Sequence, residues 1–326
     1  MKCSTIRAFT LCIIAGLTAA SAAAAEPYPQ KPIKVVVPYP PGGPYDSIAR
    51  VISQKVGEKL GQPFIVENRA GANGAIGANA VAKSAPDGYT LLMGGIGPNA
   101  INESLYPNLP YNAAKDFAPI IHAISSPNVL VVNSSVKART VNELRALERG
   151  QEGKMAYASA GAGSSTHLFA VLFGQVTKMD LLQVPYKGDA PAVTATISGE
   201  TPMYFASAAS ILPHIVSGRL RALAVTGEQR LPALPQVPTM NEAGVKGYQA
   251  TAWYGFFAPK ETPVEIIGKL NQAINEALKD SEVRQKLSRD GAVDVVGGTS
   301  AEFGALVRTE AVNWKKVIDS GRITVD

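Results

Sequence analysis

The sequence predicts an α/β protein built from two units, each a sheet covered by helices, and three observations carry that expectation. Short β-branched runs alternate with amphipathic helical stretches from Pro32 onward, the pattern of strands joined by crossover helices. Glycine-rich loops stand at several of the strand-to-helix junctions. The 326 residues exceed what one domain of about 100–200 residues uses.

In the first unit, residues 33–37 form a β-branched strand followed by a proline and glycine loop. Ile48, Val51, Ile52, Val56 and Leu60 then recur at helical spacing, with Gly61 placed to end the helix. A strand at 64–66, a glycine-rich turn, a helix through 78–81 and a strand at 89–93 complete the repeat. The alternation favours a parallel sheet. The second unit offers a helix at 141–148, a strand at 155–159, a glycine and serine loop, a helix at 167–176, and strands at 181–184, 203–205 and 220–225. A proline-rich stretch, 231–238, and an aromatic segment, 252–259, separate it from two or three C-terminal helices. Thr262-Pro263-Val264-Glu265 predicts a capping box with proline at the first helical position. Thr299 with Glu302 predicts a second box, and Phe303, Leu306, Val307, Val312 and Trp314 a packed stripe behind it.

The N-terminus reads as a secretory signal peptide over residues 1–25. Lys2 and Arg7 form a positive region, residues 8–20 a short apolar core, and Ala23-Ala24-Ala25 the small residues expected before cleavage. Both cysteines, Cys3 and Cys12, fall inside it, so the exported chain has no disulfide, thiolate metal site or cysteine nucleophile. It keeps 29 basic against 26 acidic residues, a net charge of +3. Those charges are scattered, without the basic patch that binding a nucleic acid needs.

Catalysis and metal binding find little support. The three histidines, His122, His167 and His214, are each more than forty residues apart and sit in no metal-binding frame. No Gly-x-Ser-x-Gly elbow is present. The loop Gly161-Ala162-Gly163-Ser164-Ser165-Thr166-His167 ends in Thr166 where a dinucleotide fingerprint needs a third glycine. No metal and no cofactor is expected. The glycine loops carry the signal instead. Pro40 to Asp46, Gly71 to Gly77 and Gly161 to His167 each connect a strand to a helix, where backbone N–H groups and a helix N-terminus converge on a negative group. Facing one another across a cleft, they would hold a small anion between two lobes.

The segments YPQKPIKVVVPYPPGGPYDSIAR, VENRAGANGAIGANAVAKSAPDGYTLL, YASAGAGSSTHLFA, VPYKGDAPAV, LPHIVSGRLRALAVTG and AWYGFFAPKETP resemble, in this order, the substrate-binding proteins of tripartite tricarboxylate transporters, the Bug or TctC family. The resemblance spans nearly the whole exported chain. It implies a two-lobed periplasmic binding protein of the type II flytrap class, with a helix-covered sheet in each lobe. Lobe 1 would comprise residues 26–127 and 249–326 and lobe 2 residues 128–248. It also implies a monomeric, non-catalytic receptor that hands a small organic carboxylate to membrane transporter subunits.

Carried onto this chain, the implied ligand-binding positions are Gly42, Gly43, Tyr45 and Asp46, then Ala72 and Asn73, then Gly95 and Ile96. From the second lobe come Ala160, Gly163, Ser164, Ser165, Thr166 and His167, with Tyr186, Lys187 and Ala206. Plainer roles stand beside these: Asp46 as a helix cap, His167 as a structural histidine, Tyr186 and Lys187 as a conformational corner, and Trp253 and Tyr254 as hinge packing. Tyr45, Asn73, Ile96 and Ala206 depart from the family pattern, and Ala206 stands where many relatives have an aspartate. The pocket therefore reads as suited to aromatic or aliphatic mono- or dicarboxylates rather than amino acids, with Asp46 the one acid an ammonium would meet. Two other functions fit the same residues: a secreted hydrolase of a small acid, and a ligand-sensing subunit for a membrane signalling partner.

Overall fold

A computed structural model describes residues 28–150, 152–288 and 293–325; the signal peptide reading lies outside them. In chain order the elements are β1 (Ile33–Val37), α1 (Pro44–Leu60), β2 (Phe64–Asn68), α2 (Ala75–Ala82), β3 (Thr90–Gly95), α3 (Asn102–Leu105) and β4 (Phe117–Asn133). There follow α4 (Val141–Arg149), β5 (Met155–Ser159), α5 (Ser165–Thr177), β6 (Leu181–Pro185), α6 (Asp189–Ser198), β7 (Met203–Ser207), α7 (Ala208–Val216) and β8 (Leu220–Val225). The chain closes with β9 (Thr251–Pro259), α8 (Val264–Lys279), α9 (Ser281–Leu287), β10 (Asp294–Val295) and α10 (Ser300–Gly321).

Two sheets share one strand. The order β2-β1-β3-β9-β4 makes the first and β4-β7-β5-β6 the second, with β8 also on β4. β4 pairs with β9 as far as Pro127 and with β7 and β8 from Asn128 onward. The sheets are mixed rather than parallel. β1, β2 and β3 run parallel, as do β5, β6 and β7, while β4 and β9 are antiparallel to their neighbours. Periodicity misses β4 because Pro119, Pro127 and the Ser125-Ser126 pair interrupt it, and proline ordinarily argues against a central strand. A register shift between Pro119 and Ile121 accommodates the first proline. The aromatic segment read as a separator is β9 itself, at the centre of the first sheet.

At the changeover, Asn128 N–H donates to Thr226 Oγ1 at 2.8 Å and its Nδ2 to Phe205 O at 3.0 Å, so the crossing is pinned rather than loose. The last helix straps both sheets' layers together. Trp314 of α10 stacks on Phe169 of α5 at 5.5 Å, and Gln175 Nε2 donates to Val317 O at 3.1 Å. The capping box at Thr299 and Glu302 forms in full. The one expected at Thr262 does not. Pro263 is itself the N-cap of α8, with no side-chain cap, and Thr262 Oγ1 is buried without a partner. Of the expected stripe, Val312 is 55 % exposed and faces away from the packing.

Candidate functional site

The loop after β1 is built around a carboxylate. Gly42, at φ 86°, turns its N–H onto Asp46 Oδ2 at 3.0 Å. Arg50, one helical turn on, donates Nε to both Asp46 oxygens at 3.0 Å, and Asn68 Nδ2 adds a bond at 3.0 Å from β2. Burial works to raise the Asp46 pKa, but these donors together hold it below the usual carboxylate range. Asp46 is therefore not the helix cap: Gly43 is the N-cap of α1, with no side-chain cap. Nor is it open to an ammonium, because its acceptor sites are filled. What this loop offers a ligand is the Tyr45 and Asp46 amides, which as first-turn N–H groups have no intrahelical partner.

Above these amides stands an aromatic wall. Tyr45 lies between Tyr39, at 4.4 Å between ring centroids, and Tyr254 of β9, edge-on at 4.7 Å. Gly95 is required here, since a Cβ would fall 2.5 Å from the Tyr45 hydroxyl and 2.7 Å from Trp253 O. Ile96, 3 % exposed, is absorbed into the core beside it. Tyr254, read as hinge packing, packs edge-on against Tyr45, whereas Trp253 donates its indole N–H to Glu310 on α10 at 3.3 Å.

The loop after β2 carries two non-glycine residues in the left-handed region, Ala72 at φ 47° and Asn73 at φ 48°, the kind of strain that collects at functional sites. Asn73 is held by Tyr39 OH at 3.1 Å and by Asn102 Oδ1 at 2.9 Å, and its Nδ2 reaches Gly163 O of the second sheet at 3.4 Å. Ninety residues apart in sequence, the second and third glycine loops meet here.

The loop after β5 holds itself with neutral groups. Ser164 is the N-cap of α5, accepting from His167 N–H at 3.3 Å and donating to Gly161 O at 2.7 Å. Thr166 Oγ1 takes the Ala160 N–H at 2.9 Å and lies 3.0 Å from Ser164 Oγ. His167 Nδ1 accepts the Gly163 N–H at 3.1 Å, which fixes the tautomer with the proton on Nε2, and burial lowers its pKa to about 4. His167 is thus a neutral brace. The Ser165 and Thr166 amides remain as first-turn donors.

Three implied positions lend no side chain to this cluster. Tyr186 OH is committed to Glu200 at 2.9 Å, while Lys187 is exposed. Ala206 is fully buried opposite Val129 in the second sheet's core. Conversely, sequence reading missed Asp189 and Tyr204. Tyr204 OH donates to Asp189 Oδ1 at 2.5 Å, and nothing in the spacing of the two residues signals the pair. Two cavities of about 820 and 810 Å³ lie elsewhere, one behind the crossing at Pro127 and Thr226, the other around Arg139 and Arg221. No group of three or more residues able to hold a metal occurs among the described residues, and no described helix is long and apolar enough to cross a membrane.

Two helix-covered sheets sharing a long strand, with glycine loops meeting at the carboxyl ends of their parallel strands, define a two-lobed flytrap solute receptor. The chain belongs to the family described as tripartite tricarboxylate transporter family receptor, whose model matches residues 48–322. BugT of Bordetella pertussis is 39% identical over 300 residues, covering 92% of each chain. The structure of R. palustris Rpa4515 with adipate is 34% identical with a TM-score of 0.82, covering 92% of this chain and 100% of that one. MatC from Rhodopseudomonas palustris with bound malate is 33% identical with a TM-score of 0.78, covering 89% and 100%. The chain is a receptor of the periplasmic binding type, not an enzyme.

Proposed function

We propose that the protein is exported with cleavage near Ala25, captures an aromatic or aliphatic mono- or dicarboxylate between its lobes, and delivers it as a monomer to the membrane subunits of a tripartite tricarboxylate-type transporter. One observation carries the reading: α1 and α5 each begin with open amides, and the loops that lead to them are linked through Asn73 of the loop after β2, which accepts from Tyr39 OH beside α1 and donates to Gly163 O beside α5. Converging N–H groups bind a carboxylate without a lysine or arginine, because bonds to an ionised acceptor are shorter and stronger than neutral ones. Adipate and malate in the two neighbours support the class of ligand. The ligand's acid group would lie on the loops after β1 and β2, with its body against Tyr45 and Tyr254. An α-ammonium there finds Asp46 already saturated, which disfavours amino acids.

The lobes are residues 26–127 with 249–326, and residues 128–248; the change of partners along β4 at Pro127 and Asn128 supports the boundary. A thermal-shift screen of carboxylates, amino acids and sugars tests the reading. A ligand at about 100 times its Kd adds about 2.7 kcal/mol of stability. Shifts from amino acids or sugars, with none from simple carboxylic acids, would refute it.

A further inference from the structure

We propose that Asp189 is a specificity-determining residue of the cleft: it accepts a hydrogen bond from a hydroxyl or ammonium at the end of the ligand remote from its carboxylate, and turns away a second carboxylate. The inference rests on the receptor reading above and narrows it.

Asp189 opens α6, and its Oδ1 accepts the Tyr204 hydroxyl. Tyr204 is fully buried, and its hydroxyl also lies beside Thr166. The carboxylate is therefore one hydroxyl away from the Gly161 loop. Burial first, and then the charge of Asp189, push the Tyr254 phenol up from its ordinary pKa, and Tyr254 is the edge-on partner of Tyr45. Asp189 thus joins the hydroxyl network of the Gly161 loop, with its charge felt at the aromatic wall.

Its contrast with Asp46 is what gives it a role. Asp46 is saturated by Gly42, Arg50 and Asn68. Among the described residues Asp189 enters no ion pair, and its Oδ2 accepts no hydrogen bond, although a carboxylate has about four acceptor sites. An unneutralised carboxylate repels a like charge and makes charge-assisted bonds to O–H or N–H donors. With the ligand's acid group on the first-sheet loops, the group facing Asp189 is the far end, so selection falls on the ω-substituent.

Titration calorimetry on the purified protein, with adipate against 6-hydroxyhexanoate and terephthalate against 4-(hydroxymethyl)benzoate, tests this. The hydroxy acid of at least one pair should bind about tenfold tighter than its diacid, the scale of one hydrogen bond to a charged group. Asp189→Asn should bring the two within about threefold, chiefly by improving the diacid. Tyr204→Phe keeps the acid and should keep the preference. Equal weakening of both members of a pair by Asp189→Asn and by Tyr204→Phe would make Asp189 a mere brace for Tyr204 and overturn the proposal. So would equal binding of diacid and hydroxy acid by the unsubstituted protein, with the receptor reading intact. Binding of none of the four would overturn both.

Discussion

The loops after β1 and β5 are alike in sequence, glycine-rich turns between a strand and a helix, yet they are held by opposite means. The first is locked by an ionised pair: Asp46 and Arg50, tied to Gly42 and to Asn68 of β2. The second uses no charge, only the Ser164 and Thr166 hydroxyls and the neutral imidazole of His167. Both arrangements leave first-turn amides open, so the same arrangement of donors rests on two different supports. The difference teaches that a charge inside such a loop can be wholly structural, while the charge available to a ligand, Asp189, comes from a neighbouring helix.

The largest expected effect separates the supports by pH. His167 has its folded pKa lowered to about 4 from an unfolded value of about 6.5. Its contribution is present above the unfolded value and lost as pH falls toward the folded one, up to about 3 kcal/mol. Half-buried His122 and His214 are shifted in the same direction, so the comparison is with His167→Gln, whose amide oxygen can still accept from Gly163. That variant should lose part of the stability drop between about pH 6.5 and 4, read by urea unfolding at several pH values. Asp46, also lowered, loses its contribution only below about pH 4. An unchanged pH profile in His167→Gln would break the distinction.

Asp46→Ala should cost about 2 kcal/mol at neutral pH, since it strands the Arg50 guanidinium, Asn68 and the Gly42 N–H together. Half of the Arg50 side chain is exposed, which keeps the loss below that of a fully buried pair. Ser164→Ala should cost about 1 kcal/mol, the usual value of an N-cap, and additionally weaken carboxylate binding by loosening the α5 amides. If Asp46→Ala proved the milder of the two in denaturant melts, the ionic loop would not be the firmer one. The smallest effect lies outside the loops. Thr299→Ala should lose about 1 kcal/mol with its capping box, while Thr262→Val should change stability by less than about 0.5 kcal/mol or raise it, because its hydroxyl is buried without a partner.

Much of the fold was legible because it is local. The strands at β1, β5 and β8, the helices α1 and α5, the end of α1 at Gly61 and the Thr299 capping box follow from spacing within a dozen residues. The motifs likewise identified the family. What tertiary structure alone decided is pairing at long range. It set β4 and β9 antiparallel at the centre of the sheets, packed Tyr254 edge-on against Tyr45, saturated Asp46 and left Asp189 open beside Tyr204. The physical reason is that period and capping are written into neighbouring side chains. Whether a carboxylate is neutralised or free depends instead on donors such as Asn68, brought in from another strand by the register of the sheet.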